Sequence, residues 1–168
     1  MIVEKKKLYE VYTDYNDDSF FVCYIVSADD SVLAIEKFDR NGEFDGISIV
    51  KTDSVLKVNS CTGYLKKYEN VEYVDVGNSF TFESDQTIID ILKEMKKSNR
   101  LLSLYILDET NIIGKVVDIH TNQDSIIIEM NVYSEDQSGF DGTCLITIDN
   151  VQEISMDTKF LRFISNQF

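Results

Sequence analysis

Apolar residues alternate with polar ones along most of the chain, in short runs that polar turns separate. Runs of this kind, rich in Val, Ile, Tyr and Phe, predict β-strands. In the first half of the chain they are KLYEVYTD, SFFVCYIVS, SVLAIEKF, GISIVKTD and VLKV. The chain has no proline, so no position in these runs is excluded from strand pairing. The pattern therefore predicts a mainly β protein built from short strands.

One segment, SDQTIIDILKEMKKSN, follows a helical pattern instead. Its apolar residues from Ile88 to Met95 recur on one helical face, and Ser84 or Asp85 is the expected N-cap. Lysines and Asn99 close the segment, as is typical of a helix C-terminus. The sequence thus predicts one clear helix, residues 85–98, that packs on a β-barrel.

The two halves of the chain repeat one pattern. The tripeptide Phe-Asp-Gly stands at residues 44–46 and again at residues 140–142. A shift of 94 residues aligns the chain from Leu8 with the chain from Leu102 without a gap, and a shift of 96 aligns the segments that begin at the two tripeptides. Fixed spacing together with a shared apolar pattern indicates internal duplication.

The duplication predicts two tandem small five-stranded barrels. Residues 1–68 are expected to form the first barrel repeat and residues 69–84 a bridging segment. Residues 85–168 are expected to contain the helix and the second barrel repeat. A further strand or an extended bridge is expected within residues 69–83.

The dipeptide Asn41-Gly42 lies between two of the predicted strands. It suits the positive dihedral angles of a tight hairpin turn. Residues 32–38 and 44–50 are therefore expected to pair antiparallel. In the second half, the longer loop SEDQSG fills the same gap.

Each repeat resembles the Sm-like small barrel, in which a helix precedes five short strands. The second half carries the likeness best, because five runs follow its helix: LLSLYILD, IIGKVVDIH, SIIIEMNV, GTCLITID and NVQEIS. Gly114 and the apolar residues of GKVVDIHTNQDSIII fall where the first Sm motif has a glycine and apolar residues, and LITIDNVQEI resembles the second motif. The first half has Phe20 in place of the glycine and no leading helix. SH3-like barrels share this strand plan, so both barrel types stay open.

RNA-binding members of the Sm-like family hold RNA with particular residues in two motifs. This chain has different residues at the corresponding positions. Those members have an Asp and an Asn in the loop of the first motif and an Arg-Gly pair before the corner of the second. The corresponding places hold His120 and Asp124, or Val26 and Asp30, in the loop, and Thr147-Ile148 or Lys51-Thr52 before the corner. The resemblance therefore implies the barrel without the family's RNA site.

Thirty acidic residues against 16 basic ones give a formal net charge of -14. Because nucleic-acid binding gains affinity from basic residues that release counterions, this charge argues against a nucleic-acid partner. The negative charge favours a basic protein partner, or it serves only to keep the chain soluble. No stretch approaches the roughly 18 apolar residues of a membrane span, so we expect a cytoplasmic protein with no membrane partner.

The three cysteines, Cys23, Cys61 and Cys144, lack the spacing of a metal site, and an odd number cannot pair completely within one chain. We expect reduced thiols that are mostly buried. Residues 14–19, DYNDDS, place acidic and amide side chains at alternate positions as a calcium loop does, but the glycine and the closing glutamate of that loop are missing. A polar hairpin turn explains the segment better, and no metal is expected.

The polar positions that recur in both halves are the first candidates for a site. They are Phe44, Asp45, Gly46 and Asp53 in the first half and Phe140, Asp141, Gly142 and Asp149 in the second. Glycine can take a bulge or a positive dihedral angle, and aspartate can cap the corner before Val55 or Val151. We therefore favour a structural role; the alternative is a ligand site shared by two equivalent loops.

The second candidate is the pair of equivalent loops that hold Asp30 in the first half and His120 and Asp124 in the second. His120 is the only histidine, and the first half has Val26 in its place. Ser31 and Ser125 recur beside aspartates, but a serine nucleophile needs a base within hydrogen-bond reach. The sequence thus predicts no catalytic residue and no cofactor.

Three functions remain open at this point. The favoured one is a non-catalytic binding or scaffold module that acts through protein-protein contacts, including self-association through exposed strand edges. The alternative is an acidic antagonist, such as an immunity or antitoxin-like protein, that covers the cationic surface of a toxin or a nucleic-acid-binding protein. An enzyme ranks last, because the chain offers no assembled acid, base, nucleophile or metal set.

Overall fold

A computed structural model describes residues 4, 6–15, 19–71, 87–107, 110–122, 125–134 and 139–166. The chain divides into two compact units, Met1–Gln86 and Thr87–Phe168. Strands make up most of the described part of each unit. The prediction of a mainly β protein is therefore confirmed.

The first unit has five antiparallel strands in the spatial order β5-β1-β2-β3-β4. Consecutive hairpins join the first four strands, and the fifth returns to pair with the first. One short 3-10 turn joins the fourth strand to the fifth, and another follows the fifth. The strands are β1 (Leu8–Thr13), β2 (Phe21–Ala28), β3 (Val32–Phe38), β4 (Phe44–Lys51) and β5 (Val55–Ser60), and the turns are Thr52–Ser54 and Leu65–Tyr68.

The second unit has the same strand plan between two helices. Its spatial order is β10-β6-β7-β8-β9, and a 3-10 turn at Ile148–Asn150 joins its last two strands. The elements are α1 (Ile88–Ser98), β6 (Leu102–Ile106), β7 (Asn111–Thr121), β8 (Ile126–Tyr133), β9 (Phe140–Thr147), β10 (Val151–Met156) and α2 (Lys159–Ser165).

Each five-stranded sheet is open rather than closed by pairing. Among the described residues, no ladder joins β4 to β5 or β9 to β10. The sequence also predicted one clear helix, whereas the described residues contain two. The overlooked helix α2 has Leu161 and Ile164 three residues apart after Thr158, whose hydroxyl accepts a hydrogen bond from the Leu161 backbone N–H at 3.1 Å. This cap was the available sign of the helix.

Helix α1 begins at Ile88, later than predicted, and ends at Ser98 as predicted. Its N-cap is Thr87 rather than Ser84 or Asp85, and Thr87 and Asp90 form a reciprocal capping box. The helix contacts β7, and Lys96 forms an ion pair with Asp118 on that strand at 2.7 Å. The helix therefore packs on the strands of its unit.

The predicted pairing of residues 32–38 with 44–50 is confirmed, since β3 and β4 form one antiparallel ladder. The turn between them is longer than a two-residue hairpin. Only Gly42 has a positive φ, of 80°, whereas Asn41 does not. The carboxylate of Asp39 accepts hydrogen bonds from the backbone N–H groups of Asn41 and Glu43, both at 2.9 Å. This side chain closes the turn.

One face of each sheet forms the main core of its unit. The residues of this face alternate along each strand, as a half-buried sheet requires. In the first unit they are Tyr9, Val11, Cys23, Ile25, Leu33, Ile35 and Val50. In the second unit the buried residues of the matching face are Leu102, Leu104, Gly114, Val116, Ile128, Met130 and Ile146.

A smaller cluster lies on the opposite face of each sheet, under the helical segment that follows the last strand. In the first unit, the turn Leu65–Tyr68 supplies Leu65 and Tyr68 to a cluster with Val22, Tyr24 and Phe38. In the second unit, α2 supplies Leu161 and Ile164 to a cluster with Leu101 and Tyr133. Each sheet is thus covered on both faces, which explains why its strands are richer in apolar residues than one-sided strands are.

Strand register corrects the ungapped alignment of the first part of the repeat. Leu8 lies opposite Tyr24, 16 residues later, whereas Leu102 lies opposite Gly114, 12 residues later. The shift of 94 is therefore wrong across this hairpin. Tyr9 lies opposite Ser60 as Leu102 lies opposite Met156, so Tyr9 corresponds to Leu102, and their partners Cys23 and Gly114 correspond to each other. The turn between the first two strands spans residues 14–20 in one unit but only 107–110 in the other, and residue identity could not show this difference.

The shift of 96 for the last two strands agrees with the backbone. Cys61 and Asp157, related by this shift, both have positive φ values, of 57° and 52°. The 3-10 turns Thr52–Ser54 and Ile148–Asn150 are related by the same shift. The bridging segment and its expected strand lie outside the described residues from residue 72 onward, as do Asn16 and Asp18 of the calcium-like turn.

Gly114 lies at a close contact between two strands of the second unit. It pairs with Leu102 on β6 and with Val132 on β8. A β-carbon at this position would clash with the carbonyl oxygen of Asn131. Close approach of two backbones, rather than an unusual φ, therefore requires glycine here.

The substitution Gly114→Ala is expected to lower the free energy of unfolding by about 2 kcal/mol, because overpacking moves backbone that cannot relax. Gly63→Ala is the control, since a β-carbon there meets no atom within 4 Å, and it should change stability by less than about 0.5 kcal/mol. Urea unfolding followed by circular dichroism measures both. Equal losses in the two variants would contradict the packing explanation.

Candidate functional site

The duplicated Phe-Asp-Gly tripeptides form the same bulge in both units. Asp45-Gly46 faces the single residue Lys37 across the ladder to β3, and Asp141-Gly142 faces the single residue Val132 on β8. The two glycines have φ values of 90° and 95°. Residues with side chains rarely adopt such values, so backbone geometry accounts for glycine at both places.

The phenylalanines of the two tripeptides have different surroundings. Phe44 is partly buried against the smaller cluster of the first unit, the one that contains Leu65 and Tyr68. Phe140 is 40% exposed, and its ring meets the Tyr133 ring edge-on, with centroids 5.8 Å apart. An aromatic surface at this repeated position is therefore offered to solvent in the second unit.

The duplicated aspartates of the corners do not join the bulges in one site. Asp53 and Asp149 are exposed in the 3-10 turns. The N-cap residues of those turns are Lys51 and Thr147, and neither makes a side-chain cap, so capping by the aspartates stays a prediction. The eight residues of β4 span roughly 25 Å, which separates the bulge from the corner. A ligand site made of all the duplicated positions of one unit is therefore not formed.

Asp30 lines a cleft at the corner end of the first unit. The cleft measures about 450 Å³ and is bounded by the turn after β2 and by β5. The structural residue of the turn is Asp29, whose Oδ1 accepts hydrogen bonds from the backbone N–H groups of Ser31 at 2.7 Å and Val32 at 2.8 Å. Burial alone would raise the pKa of Asp29, but these hydrogen bonds hold it below its ordinary value. Two carboxylates and one lysine, Lys57, line this cleft, so its formal charge is negative and disfavours an anionic ligand.

His120 lies in a shallow groove across β7, β8 and β9. Its Nε2 is 2.8 Å from Oε2 of Glu129 on the neighbouring strand. Asn122, Ile127, Thr143 and Leu145 also line this groove, which measures about 590 Å³. Asp124, the third residue of the candidate loop, lies outside the described residues. Asp30 is the candidate residue of the first unit and His120 that of the second.

The nucleophile candidates lie in ordinary structural surroundings. The hydroxyl of Ser31 donates to Asp29 at 2.8 Å. Of the three free thiols, only Cys23 is buried, whereas Cys61 is exposed and Cys144 is half-buried, so the expectation of mostly buried cysteines is wrong. Burial raises the pKa of the Cys23 thiol, which keeps it protonated. Within the described ranges, no group of three or more His, Cys, Asp or Glu residues is arranged to hold a metal ion.

Sequence reasoning missed a buried carboxylate in the first unit. Glu10 on β1 is 3% exposed. It accepts hydrogen bonds from the hydroxyl of Tyr12 at 3.0 Å, from Nδ2 of Asn59 at 3.2 Å and from the hydroxyl of Thr62. The hydroxyl of Thr62 also accepts a hydrogen bond at 3.3 Å from the backbone N–H of Leu65, the first residue of the 3-10 turn after β5. The carboxylate thus joins the first strand, the last strand and the turn.

This hydrogen bonding keeps Glu10 ionised in the folded chain. Burial alone would raise its pKa, but the donors Thr62, Asn59 and Tyr12, together with the charge of Lys57, lower it. A strongly placed carboxylate can mark a functional site, but here each of its partners belongs to the fold. Ser103 of the second unit has the position of Glu10, because Ser103 lies opposite Ser155 as Glu10 lies opposite Asn59. The second unit thus has a serine where the first has the carboxylate, so this network belongs to the first unit.

The matched substitutions Thr62→Val and Thr158→Val test the network, since each removes a hydroxyl that accepts from a backbone N–H of a helical segment, but only Thr62 also donates to a carboxylate. At neutral pH, Thr62→Val should cost about 2 kcal/mol and Thr158→Val about 1 kcal/mol. Because the pKa of Glu10 is lowered by folding, its stabilisation is present above the pKa of an unfolded glutamate and is lost as the pH falls through the lower folded value.

The difference between the two threonine variants should therefore shrink as the pH is lowered. Urea unfolding at several pH values measures it. A difference that stays constant, or that grows on acidification, would show that Glu10 does not supply the additional stability.

Of the strands that lie at an end of the ladder of their own unit, β5 and β9 each carry an exposed leucine. Strand β5 pairs only with β1, and β9 pairs only with β8, within the part of the chain that the structure describes. Leu56 on β5 is 67% exposed, and Leu145 on β9 is 65% exposed. Unpaired backbone groups beside an exposed leucine form a surface to which another strand can add.

Comparison of the chain with protein-family models, with curated proteins and with solved structures gives no match. No helix among the described residues is both long and apolar enough to cross a membrane.

Proposed function

We propose that the chain is a non-catalytic binding module of the Sm-like small-barrel type that acts through protein-protein contacts at its one-sided strands. The observation that carries this proposal is the pair of open edges, β5 in the first unit and β9 in the second, each with an exposed leucine. A partner strand can complete the ladder at each edge and cover these side chains.

Duplication of an Sm-like unit is part of the proposal. Five antiparallel strands in the same order, a 3-10 turn before the last strand, matching bulges and a helical segment over the outer face recur in both units. These shared features support common descent of the two units. They also explain why the places that hold RNA in family members can differ while the strand plan persists.

Strand β9 has few of the features that protect an edge from association. Five of its eight residues are exposed, and it contains neither lysine nor proline, the residues that commonly block edge pairing. The bulge at Asp141-Gly142 interrupts its beginning. The regular part from Thr143 to Thr147 is therefore the segment to which a partner strand would add.

The occupant that best fits β9 is β5 of a second copy, whose single lysine, Lys57, packs over the Tyr12 ring of its own unit at 4.0 Å from the centroid. Both are short antiparallel edges, and each carries one exposed leucine, at Leu145 and Leu56. Because the two surfaces differ, this contact is heterologous, and repeated contacts produce a closed ring or a longer chain of copies. The charge of -14 on each copy opposes association, so added salt should strengthen it.

The substitution Leu145→Lys should weaken self-association at least about tenfold, because it places a charge on the edge. Leu56→Lys should do the same. The control is Leu107→Lys, which changes a leucine that is 63% exposed but lies after β6 rather than on an edge strand. Sedimentation velocity over a concentration series measures all three variants.

Mixing Leu145→Lys with Leu56→Lys gives the sharpest result. The first variant retains an intact β5 edge and the second an intact β9 edge, so an equimolar mixture should form a dimer and nothing larger. A wild-type chain that stays monomeric at all concentrations and salt levels, or control and edge variants that behave alike, would contradict the proposal. Binding to a basic protein that weakens as salt is added would support the acidic antagonist instead.

A further inference from the structure

The second unit contains a cleft of about 510 Å³ in which positive charge is concentrated. Arg100, Lys115 and Arg162 line it, together with the single acidic residue Asp157. This unit has seven basic and thirteen acidic residues in all. Three of its cations and one of its carboxylates therefore meet at one cleft, and the local charge is opposite in sign to that of the chain.

Asp157 holds two of the cations in place. It lies between β10 and α2 with a positive φ of 52°. Its carboxylate forms an ion pair with Arg100, and its carbonyl oxygen accepts a hydrogen bond from Nη1 of Arg162 at 2.7 Å. A guanidinium has five N–H donors in a fixed plane, so Arg100 can bind Asp157 and still donate toward the cleft.

Lys115 supplies a cation without a carboxylate partner. Its Nζ lies 5.7 Å from the centroid of the Phe140 ring, and no ion pair involves it among the described residues. The first unit has Tyr24 at the position that corresponds to Lys115. Tyr24 lies opposite Glu36 on the next strand, just as Lys115 lies opposite Asn131. Tyr24 is buried there, so a half-buried cation at this place is particular to the second unit.

The walls of the cleft are apolar as well as cationic. Leu101 and Leu161 are buried at its base, and the Phe140 ring is partly exposed at its side. The volume lies in the range of small-molecule sites, which combine apolar walls with a few fixed polar groups. Arginine and lysine side chains that converge in this way are typical of phosphate recognition.

We infer that this cleft binds a small phosphomonoester. Arg100 and Lys115 contact the phosphate group, and Asp157 is a positioning residue that orients Arg100. Phe140 and the two leucines contact the remainder of the ligand. The site needs no second copy of the chain, so it stands or fails independently of the proposed self-association.

Adenosine 5′-monophosphate is the first probe, titrated into the isotope-labelled full chain at constant ionic strength and followed by amide NMR shifts. Saturable shifts confined to the segments around Arg100, Lys115, Phe140 and Asp157 are expected, with a dissociation constant below about 1 mM. Inorganic phosphate should compete for the site. Adenosine, which lacks the phosphate, should give no saturable shift.

The variant Lys115→Gln should weaken binding of adenosine 5′-monophosphate about tenfold or more. Its matched control is Lys67→Gln, which removes a lysine that lies 4.6 Å from the centroid of another exposed ring, Tyr64, outside the cleft. Arg100→Lys, which keeps the charge but loses the planar donors, should also weaken binding. The spectrum without ligand shows whether each variant is folded.

Three results would overturn the inference. The first is the absence of localised saturable shifts at about 10 mM probe, far above a millimolar dissociation constant. The second is binding of adenosine as strong as that of its monophosphate, which would make the phosphate irrelevant. The third is an equal loss in Lys115→Gln and Lys67→Gln, which would reduce the effect to general electrostatic attraction.

Discussion

The antiparallel ladder of five strands is the interaction on which each unit depends. A strand satisfies its backbone N–H and C=O groups through its neighbours, and in both units the fifth strand returns to pair with the first rather than with the fourth. The sheet is therefore open. Its two faces are covered by apolar residues and by the helical segment after the last strand, but cover on the faces does nothing for the backbone groups at an edge.

The other features of the fold adjust this ladder. The duplicated bulges bend the fourth strand of each unit where it leaves the hairpin, and positive φ at glycine permits that bend. Gly114 lets β7 approach β8. Glu10 joins the first and last strands of its unit through hydrogen bonds. The proposed binding surfaces are the ladder ends at β5 and β9, where Leu56 and Leu145 are exposed.

Alternation and repeated residues predicted the strands, the hairpin between β3 and β4, and the C-terminal end of α1. They did not predict the register of β7, because a shorter turn precedes it and its apolar residues permit more than one alignment. Helix α2 was missed because it is only seven residues long. Short helices take their stability from packing rather than from their own propensity.

The site residues were harder to predict than the strands. The role of Glu10 depends on Asn59 and Thr62, some fifty residues away. The cationic cleft combines Arg100, Lys115 and Arg162 from three separate segments, and a net charge of -14 conceals such a local excess. Phe140, by contrast, was found through the repeat, although the repeat could not show that its ring is exposed.

Amide hydrogen exchange at low and high protein concentration tests the central claim most directly, because it reports on the backbone groups of single strands. Exchange of the β9 and β5 amides that point away from their ladder partners should slow as concentration rises, while the turn at Asp39–Glu43 remains unchanged. Protection of β9 and β5 that is independent of concentration, in a chain that remains monomeric, would contradict the claim that these edges bind another copy.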